Sequence, residues 1–392
     1  MKVPAKRNPW RCKATMAGAA IVAMVGSAFV SSTAGAQGSS TYTSKAGLAY
    51  AKAQVKKYSG AVTSPAVPAI ASPANLKGKT IWYIPITNAV DSLAGMGTTM
   101  ESALSHLGAN VHVCDGGGLP TTVANCMATA AQQNAAAVLT SYIDYEMVPT
   151  AFQALAAKNI PVVVGNEAAP PGVKPSKDLQ FMDGSAQTNL FSQLMAYLTI
   201  ADSKGKANVI VIKLTDSAST TKAGNIEIAL LKKLCPGCTV NSISMQTAAI
   251  AQMPSALSAA LVANPSTDYV TVPTDAYLPP AMGGIEASGF ASKVQVISAD
   301  GGLAGLQSVD AGKVAYDPGN PVEYVGWQYA NAVVRLLSGL TVSPAPAGPT
   351  LVFNAANVKT LDLTPPNYLN MSWYDVSDAA FQKPYLAAWK AN

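Results

Sequence analysis

The chain has 392 residues, 49% hydrophobic, 12% charged and 7% aromatic, with 30 glycines and 26 prolines. A chain this long and apolar is neither a disordered tail nor a miniprotein held by disulfides alone; it must bury at least one large core, and its length suits about two domains. Its formal charge of +5 is concentrated at the start, where Lys2, Lys6, Arg7, Arg11 and Lys13 precede the uncharged stretch Ala14 to Val30 and the small residues Ala34-Gly35-Ala36. That order of basic, apolar and small residues predicts a secretory signal peptide over 1–36, cleaved near Ala36. Without it, 21 basic residues balance 21 acidic ones, so no sequence-wide field favours nucleic acid or an anionic membrane surface. The apolar run is short for a membrane anchor, and none of spanning length follows it.

Residues 37–75, rich in Ser, Ala and Pro, predict an N-terminal arm with one helix over 44–58 and an extended stretch over 62–73. From residue 79 the chain alternates apolar β-type runs with helical segments. Strands are expected at 80–86, 110–114, 136–141 and 160–165, and helices at 91–107, 121–133 and 146–158. The first run, Thr80 to Ile86, is almost continuously apolar, which suits a parallel strand buried on both faces. After the Pro-rich connection 168–175 the pattern begins again, with strands at 179–182, 208–214, 239–245, 269–272 and 294–298 and helices at 185–201, 220–234, 254–262 and 279–288. The tail offers a strand at 314–316, a helix over 322–338, a strand at 350–353 and an irregular aromatic end. The expectation is an α/β protein of two Rossmann-like lobes with parallel sheets. Lobe 1 is expected to comprise 76–182 plus 318–343, and lobe 2 to comprise 183–316 plus 345–392.

Cys12 leaves with the leader, and Cys114, Cys126, Cys235 and Cys238 form the even set expected of an exported protein. Pairing neighbours in sequence gives Cys114 with Cys126 and Cys235 with Cys238. The second pair also has the C-x-x-C spacing of a redox site or half a zinc site, but no second C-x-x-C exists and His106 and His112 lie far away in sequence, so a structural staple is favoured.

In parallel α/β sheets ligands bind beyond the carboxyl ends of the strands. The polar residues there are Thr87, Asn88 and Asp91; Tyr142 and Asp144; Asn166 and Glu167; Thr215, Asp216 and Ser217; Thr274, Asp275 and Tyr277; and Asp300. Hydroxyls, amides and carboxylates suit a neutral, hydroxyl-rich ligand, while the same residue types at strand ends also cap the helices that follow. No G-x-S-x-G elbow, P-loop or H-E-x-x-H is present, and Asp115-Gly116-Gly117-Gly118 lacks dinucleotide-binding spacing and reads as a turn.

The entry Leu76-Lys77-Gly78-Lys79-Thr80-Ile81, the strand ends Thr87-Asn88 and Val164-Gly165-Asn166-Glu167, and the runs Val272-Pro273-Thr274-Asp275-Ala276 and Ser298-Ala299-Asp300-Gly301 resemble type I periplasmic binding proteins of the ribose- and galactose-binding branch. The resemblance covers about residues 76–340. It implies a three-crossover hinge, a ligand in the interlobe cleft and delivery to an ABC import permease, by a monomer with no cofactor, metal or catalytic residue. By position it implies ligand contacts from Asn88, Asn166, Glu167, Thr274, Asp275, Asp300 and Asp317 or Asn320, with Asp91 and Tyr142 added from the strand-end reading. Asn88, Asn166, Asp275 and Asp300 are expected to face one another across the cleft, two from each lobe. The family's paired aromatics after the first strand are absent, leaving Tyr142, Tyr277 or Tyr316 to supply a stacking face, and Glu167 stands where an arginine is often found. A sugar or sugar-like polyol is the expected solute. A carboxylic or amino acid is the second reading, and an exported redox enzyme using Cys235 and Cys238 the third.

Overall fold

The computed structural model describes residues 43–60, 62, 65–365, 369, 371–374 and 378–391; the expected signal peptide lies outside the described residues. The chain enters as helix α1 (Ser44–Lys57), whose first turn is capped by the Thr43 hydroxyl accepting from the Ala46 N–H. There follow β1 (Thr80–Pro85), α2 (Asp91–Ser105), β2 (Asn110–Val113), α3 (Pro120–Gln132), β3 (Ala137–Ser141), α4 (Pro149–Ala157), β4 (Val162–Gly165) and β5 (Leu179–Met182). The five strands form one parallel sheet in the order β2-β1-β3-β4-β5. β1 and β3 are its central strands, and their near-continuous apolar runs are buried between helices on both faces, which is the physical reason these runs lack a polar alternation. The expected single helix over 146–158 is split: Pro149 has no N–H to donate and takes the first position of α4 behind a 3-10 turn at Tyr145–Met147.

The second half contains α5 (Ser185–Asp202), β6 (Asn208–Leu214), α6 (Ala218–Leu234), β7 (Thr239–Met245), α7 (Met253–Ala263), β8 (Tyr269–Thr271), α8 (Leu278–Ala287), β9 (Gln295–Ile297), α9 (Leu303–Asp310) and β10 (Tyr316–Pro318). With β11 (Val352–Asn354) these strands make a second sheet, β11-β10-β9-β8-β6-β7, in which only β11 runs antiparallel to its neighbour. Between β10 and β11 the chain makes α10 (Val322–Leu337), which packs on α2, β3 and β4 of the first lobe. Gly326 makes that crossing possible, since a Cβ there would come 1.8 Å from Thr99 Oγ1.

Two further elements differ from the sequence expectation. Helix α9 begins right after Gly301-Gly302 and contains Gly305, which obscures its periodicity. The strand expected at 350–353 joins the second sheet as β11, but the tail beyond it, expected to be irregular and assigned to lobe 2, forms α11 (Asp378–Trp389) against α10, with Trp389 stacked on Trp327 at 5.5 Å between ring centroids. Burying that aromatic cluster outweighs the internal Pro384. The chain thus passes between lobes after β5, before α10 and after α10, and its tail returns once more to the first lobe.

The N-terminal arm also spans both lobes. α1 packs on α5 and α6, and Tyr58 accepts from the Val352 N–H at 2.8 Å. Farther on, the Ile70 N–H donates to Ala388 and the Ala74 N–H to Ser338 Oγ, both on the first lobe. Both expected disulfides are present: Cys114–Cys126 ties the end of β2 to α3, and Cys235–Cys238 closes a tight turn after α6.

Candidate functional site

The carboxyl ends of the two sheets open on a shared cavity. From the first lobe it is walled by Ile86, Val90, Ser92, Leu93, Met96 and Tyr142. From the second come two helix faces, Thr188, Phe191, Ser192 and Met195 on α5 and Thr220, Ala223, Gly224 and Glu227 on α6. Strand-end residues complete it, among them Asp216, Thr274, Tyr277, Asp300 and, from the link into α10, Asn320. No Lys, Arg or His is among its described lining residues.

Asp300 is the centre of its polar wall. Its Oδ2 accepts from the Ser92 hydroxyl at 2.7 Å and the Thr274 hydroxyl at 2.9 Å, and its Oδ1 from Asn320 Nδ2 at 2.8 Å. Burial raises its pKa and these donors act against the rise. Its φ of 118° is exceptional for a residue with a side chain, and Tyr142 (φ 56°) and Asn166 (φ 62°) also adopt positive φ at strand ends of the first lobe. Such backbone strain is held only where surrounding contacts over-determine it, and it concentrates at binding sites.

Three further contacts close the lobes on each other. The Tyr142 hydroxyl meets Thr188 Oγ1 at 3.1 Å, Asp144 Oδ2 accepts the Ala218 N–H at 2.9 Å, and Glu167 Oε1 accepts from the Ser219 hydroxyl at 2.6 Å. Asp144 and Glu167 therefore hold the first turn of α6, where free N–H groups and the helix dipole favour acceptors. The same turn carries a capping box, with Ser217 and Thr220 exchanging side-chain and backbone bonds. Burial, reinforced by the neighbouring Asp144, pushes the Glu167 carboxyl up to about 8.

Of the expected ligand-binding residues, Tyr142, Thr274, Asp300 and Asn320 line the cavity. The others do not. Asn88 donates its N–H to Asp115 Oδ1, which also receives the Gly117 N–H, so it serves the Asp115–Gly118 turn. Asp91 is exposed in the first turn of α2. Asn166 sits behind the cavity, its Oδ1 against Gly184. Glu167 faces Ser219 in the interlobe seam rather than the cavity.

Asp275 accepts from the Ser298 hydroxyl at 2.6 Å and the Gly302 N–H at 2.8 Å, holding the start of α9. Asp317 lies fully buried behind it and accepts from the Gly301 N–H at 3.0 Å. Burial, with the nearby Asp300 charge, raises Asp275 to about 7, and burial beside Asp275 raises Asp317 well above the usual carboxylate range. The expected opposition of Asn88, Asn166, Asp275 and Asp300 across the cleft is thus not formed; of the four only Asp300 lines the cavity, Asp275 being turned to Ser298 and the Gly302 N–H at the start of α9. Of the candidate stacking rings, Tyr142 and Tyr277 line the cavity, while Tyr316 bonds Asp202 elsewhere in the second lobe.

Sequence reasoning missed Ser92, Thr188, Phe191, Met195 and Glu227. Glu227 left a readable trace: it interrupts the apolar stripe Ala223, Gly224, Leu231 and Leu234, the face that α6 buries.

The family described as periplasmic binding protein domain matches residues 83–341. No curated protein matches the chain in sequence. Among solved structures, a 5-methylthioribose transporter solute-binding protein from Thermotoga lettingae, in complex with 5-methylthioribose, superposes with a TM-score of 0.64 at 16% identity, covering 80% of this chain and 99% of its own. An ABC transporter solute-binding protein from Agrobacterium vitis with bound allitol gives 0.61 at 18%, covering 73% and 98%. One from Actinobacillus succinogenes with bound D-allose gives 0.60 at 16%, covering 73% and 100%. At these identities the likeness is one of fold.

Proposed function

Because the chain belongs to the periplasmic binding protein domain family, we propose that it is the exported, non-enzymatic solute-binding subunit of an ABC importer, closing on a small neutral polyhydroxylated solute, a sugar or polyol. One observation carries the reading: hydroxyl, amide and carboxyl groups of both lobes converge on one cavity without a cationic side chain among its described lining. Hydroxyl ligands are recognised by such mixed donors and acceptors. The solutes bound by the allitol and D-allose binders above belong to the same class.

Binding works through closure. Ser92 and Tyr142 reach Asp300 and Thr188 only when the lobes meet, and a solute contacting both lobes adds its interaction energy to the closed state alone. The closed monomer, released into the periplasm after cleavage near Ala36, would be the form that docks on the permease. A carboxylic or amino acid solute lacks the cation it would need in the cavity. Redox chemistry at Cys235 and Cys238 is disfavoured because Cys235 is buried in a turn staple remote from the cavity.

A thermal-shift screen against pentoses, hexoses, polyols and carboxylic acids tests the reading, since a solute that binds only the folded protein raises its melting temperature. A sugar or polyol should raise it in proportion to the logarithm of its concentration; a response to carboxylic acids alone would overturn the assignment.

A further inference from the structure

The polar wall around Asp300 occupies one end of the cavity. The rest runs along two facing helices, from Thr188 to Met195 on α5 and from Thr220 to Glu227 on α6. Seven residues of α-helix span about 10 Å, so the cavity extends into the second lobe well past the strand ends. Its walls there are Phe191, Met195, Ile212, Ala223 and Gly224, with Ser192 the one hydroxyl among them. A free sugar, with hydroxyls around its ring, would leave hydroxyls unpaired against these walls, at the cost of burying a polar group without a partner.

At the far end stands Glu227. It is 1% exposed, and its Oε1 makes no hydrogen bond of normal geometry, the Thr271 hydroxyl being the polar group beside it. Burial pushes its carboxyl up to about 8, the nearby Thr271 hydroxyl acting against the rise, so it carries its proton at neutral pH and has an O–H to donate. A buried polar group without a partner is rare and calls for a reason. No other part of the proposed function employs it.

We propose that the solute is an amphiphilic sugar or polyol derivative: a hydroxylated head held at Asp300, Thr274 and Asn320, and an uncharged apolar arm lying between α5 and α6, ending in a hydrogen-bond acceptor that meets Glu227. This rests on the sugar or polyol reading and narrows it. The arm is accepted because Ala223 keeps the α6 face low, and the apolar walls reward each methylene buried against them.

The test is calorimetric titration of the full mature chain with matched pairs, ribose against 5-methylthioribose and galactose against phenyl β-galactoside, alongside allitol. The substituted member of at least one pair should bind at least tenfold more tightly than its parent. Ala223→Leu, which fills the passage beside α5, should collapse that ratio towards one, and Glu227→Leu should reduce binding of an acceptor-ended arm, 2-methoxyethyl β-galactoside, more than that of the phenyl compound. Parent sugars or allitol binding as tightly as the derivatives in the unaltered protein would overturn the amphiphile while leaving the sugar-binding function standing. If no sugar, polyol or derivative binds, both fall. The comparison in the unaltered protein decides the matter even if a variant fails to fold.

Discussion

The Ser92 hydroxyl, in the first turn of α2 on one lobe, donates to Asp300 Oδ2 on the other at 2.7 Å, and both residues line the same cavity. The bond therefore belongs to the closed state and couples the wall of the site to the hinge motion. Ser92→Ala should leave the ligand-free melting temperature nearly unchanged and weaken solute binding about three- to tenfold, the worth of one hydrogen bond of about 1 kcal/mol. Titration with the best solute from the screen measures it; unchanged affinity would show that the bond does nothing for closure.

Asp275 should behave in the opposite way. It binds Ser298 and the Gly302 N–H and does not line the cavity. Asp275→Ala strands both donors, so unfolding stability should drop by about 2 kcal/mol or more. Chemical denaturation of the ligand-free variant measures this. A normal denaturation midpoint combined with lost binding would return Asp275 to the ligand.

Stability should decline as pH rises. Burial raises Glu227 from 4.5 to about 8 and Asp275 from 3.8 to about 7, and Asp317 shifts in the same direction. Each is held protonated in the fold, so its contribution is complete below its unfolded value and is lost as pH climbs through the folded one. The melting temperature should therefore fall between pH 5 and pH 9, and Glu227→Gln, which cannot ionise, should flatten the part of the slope below about pH 8. A curve that rises over this range would contradict the buried, neutral state of these carboxyls.

Glu167 makes closure follow the same sign. Its carboxyl is raised from 4.5 to about 8 where the seam buries it, and opening returns it to water. Closure thus takes up a proton between these values, and solute affinity should weaken with increasing pH across that window, then level off above about 8. Glu167→Gln should lose this dependence while still reaching Ser219.

Gly326 offers a test of packing alone. Gly326→Ala puts a methyl group where Thr99 Oγ1 and the Met96 carbonyl already lie, at 1.8 and 2.9 Å. Forcing α10 away from α2 should cost about 1–3 kcal/mol in unfolding free energy. An unaltered midpoint would mean that the two helices separate without loss.

The sheets were legible because buried parallel strands are written as short apolar runs, of which Thr80–Pro85 and Val162–Gly165 are clear cases. The strand-end rule then pointed to Tyr142, Thr274 and Asp300, and the resemblance to Asn320, all of which line the cavity. It failed at Asp275 because a polar residue at a strand end serves backbone or ligand equally well, and only the direction of its partners separates the two. Phe191 and Met195 were unreadable for another reason: in sequence they are core positions of an apolar helix, and they become walls of a site only because α5 and α6 leave room between them. The tail was misjudged because Pro384 and its aromatic residues conceal helical period, whereas the stack of Trp389 on Trp327 supplies its stability from a partner far away in the chain.

The placement of the tryptophans has a practical result. Trp82, Trp327 and Trp389 belong to the core of the first lobe, Trp373 is buried in the tail, and none of the four lines the cavity. Their emission should scarcely change when a solute enters, although it will report the unfolding of the lobe that contains them. The optical signal of occupancy must come instead from Tyr142 and Tyr277, or from a fluorophore attached across the seam. An assay that monitors tryptophan alone would score a true ligand as inert.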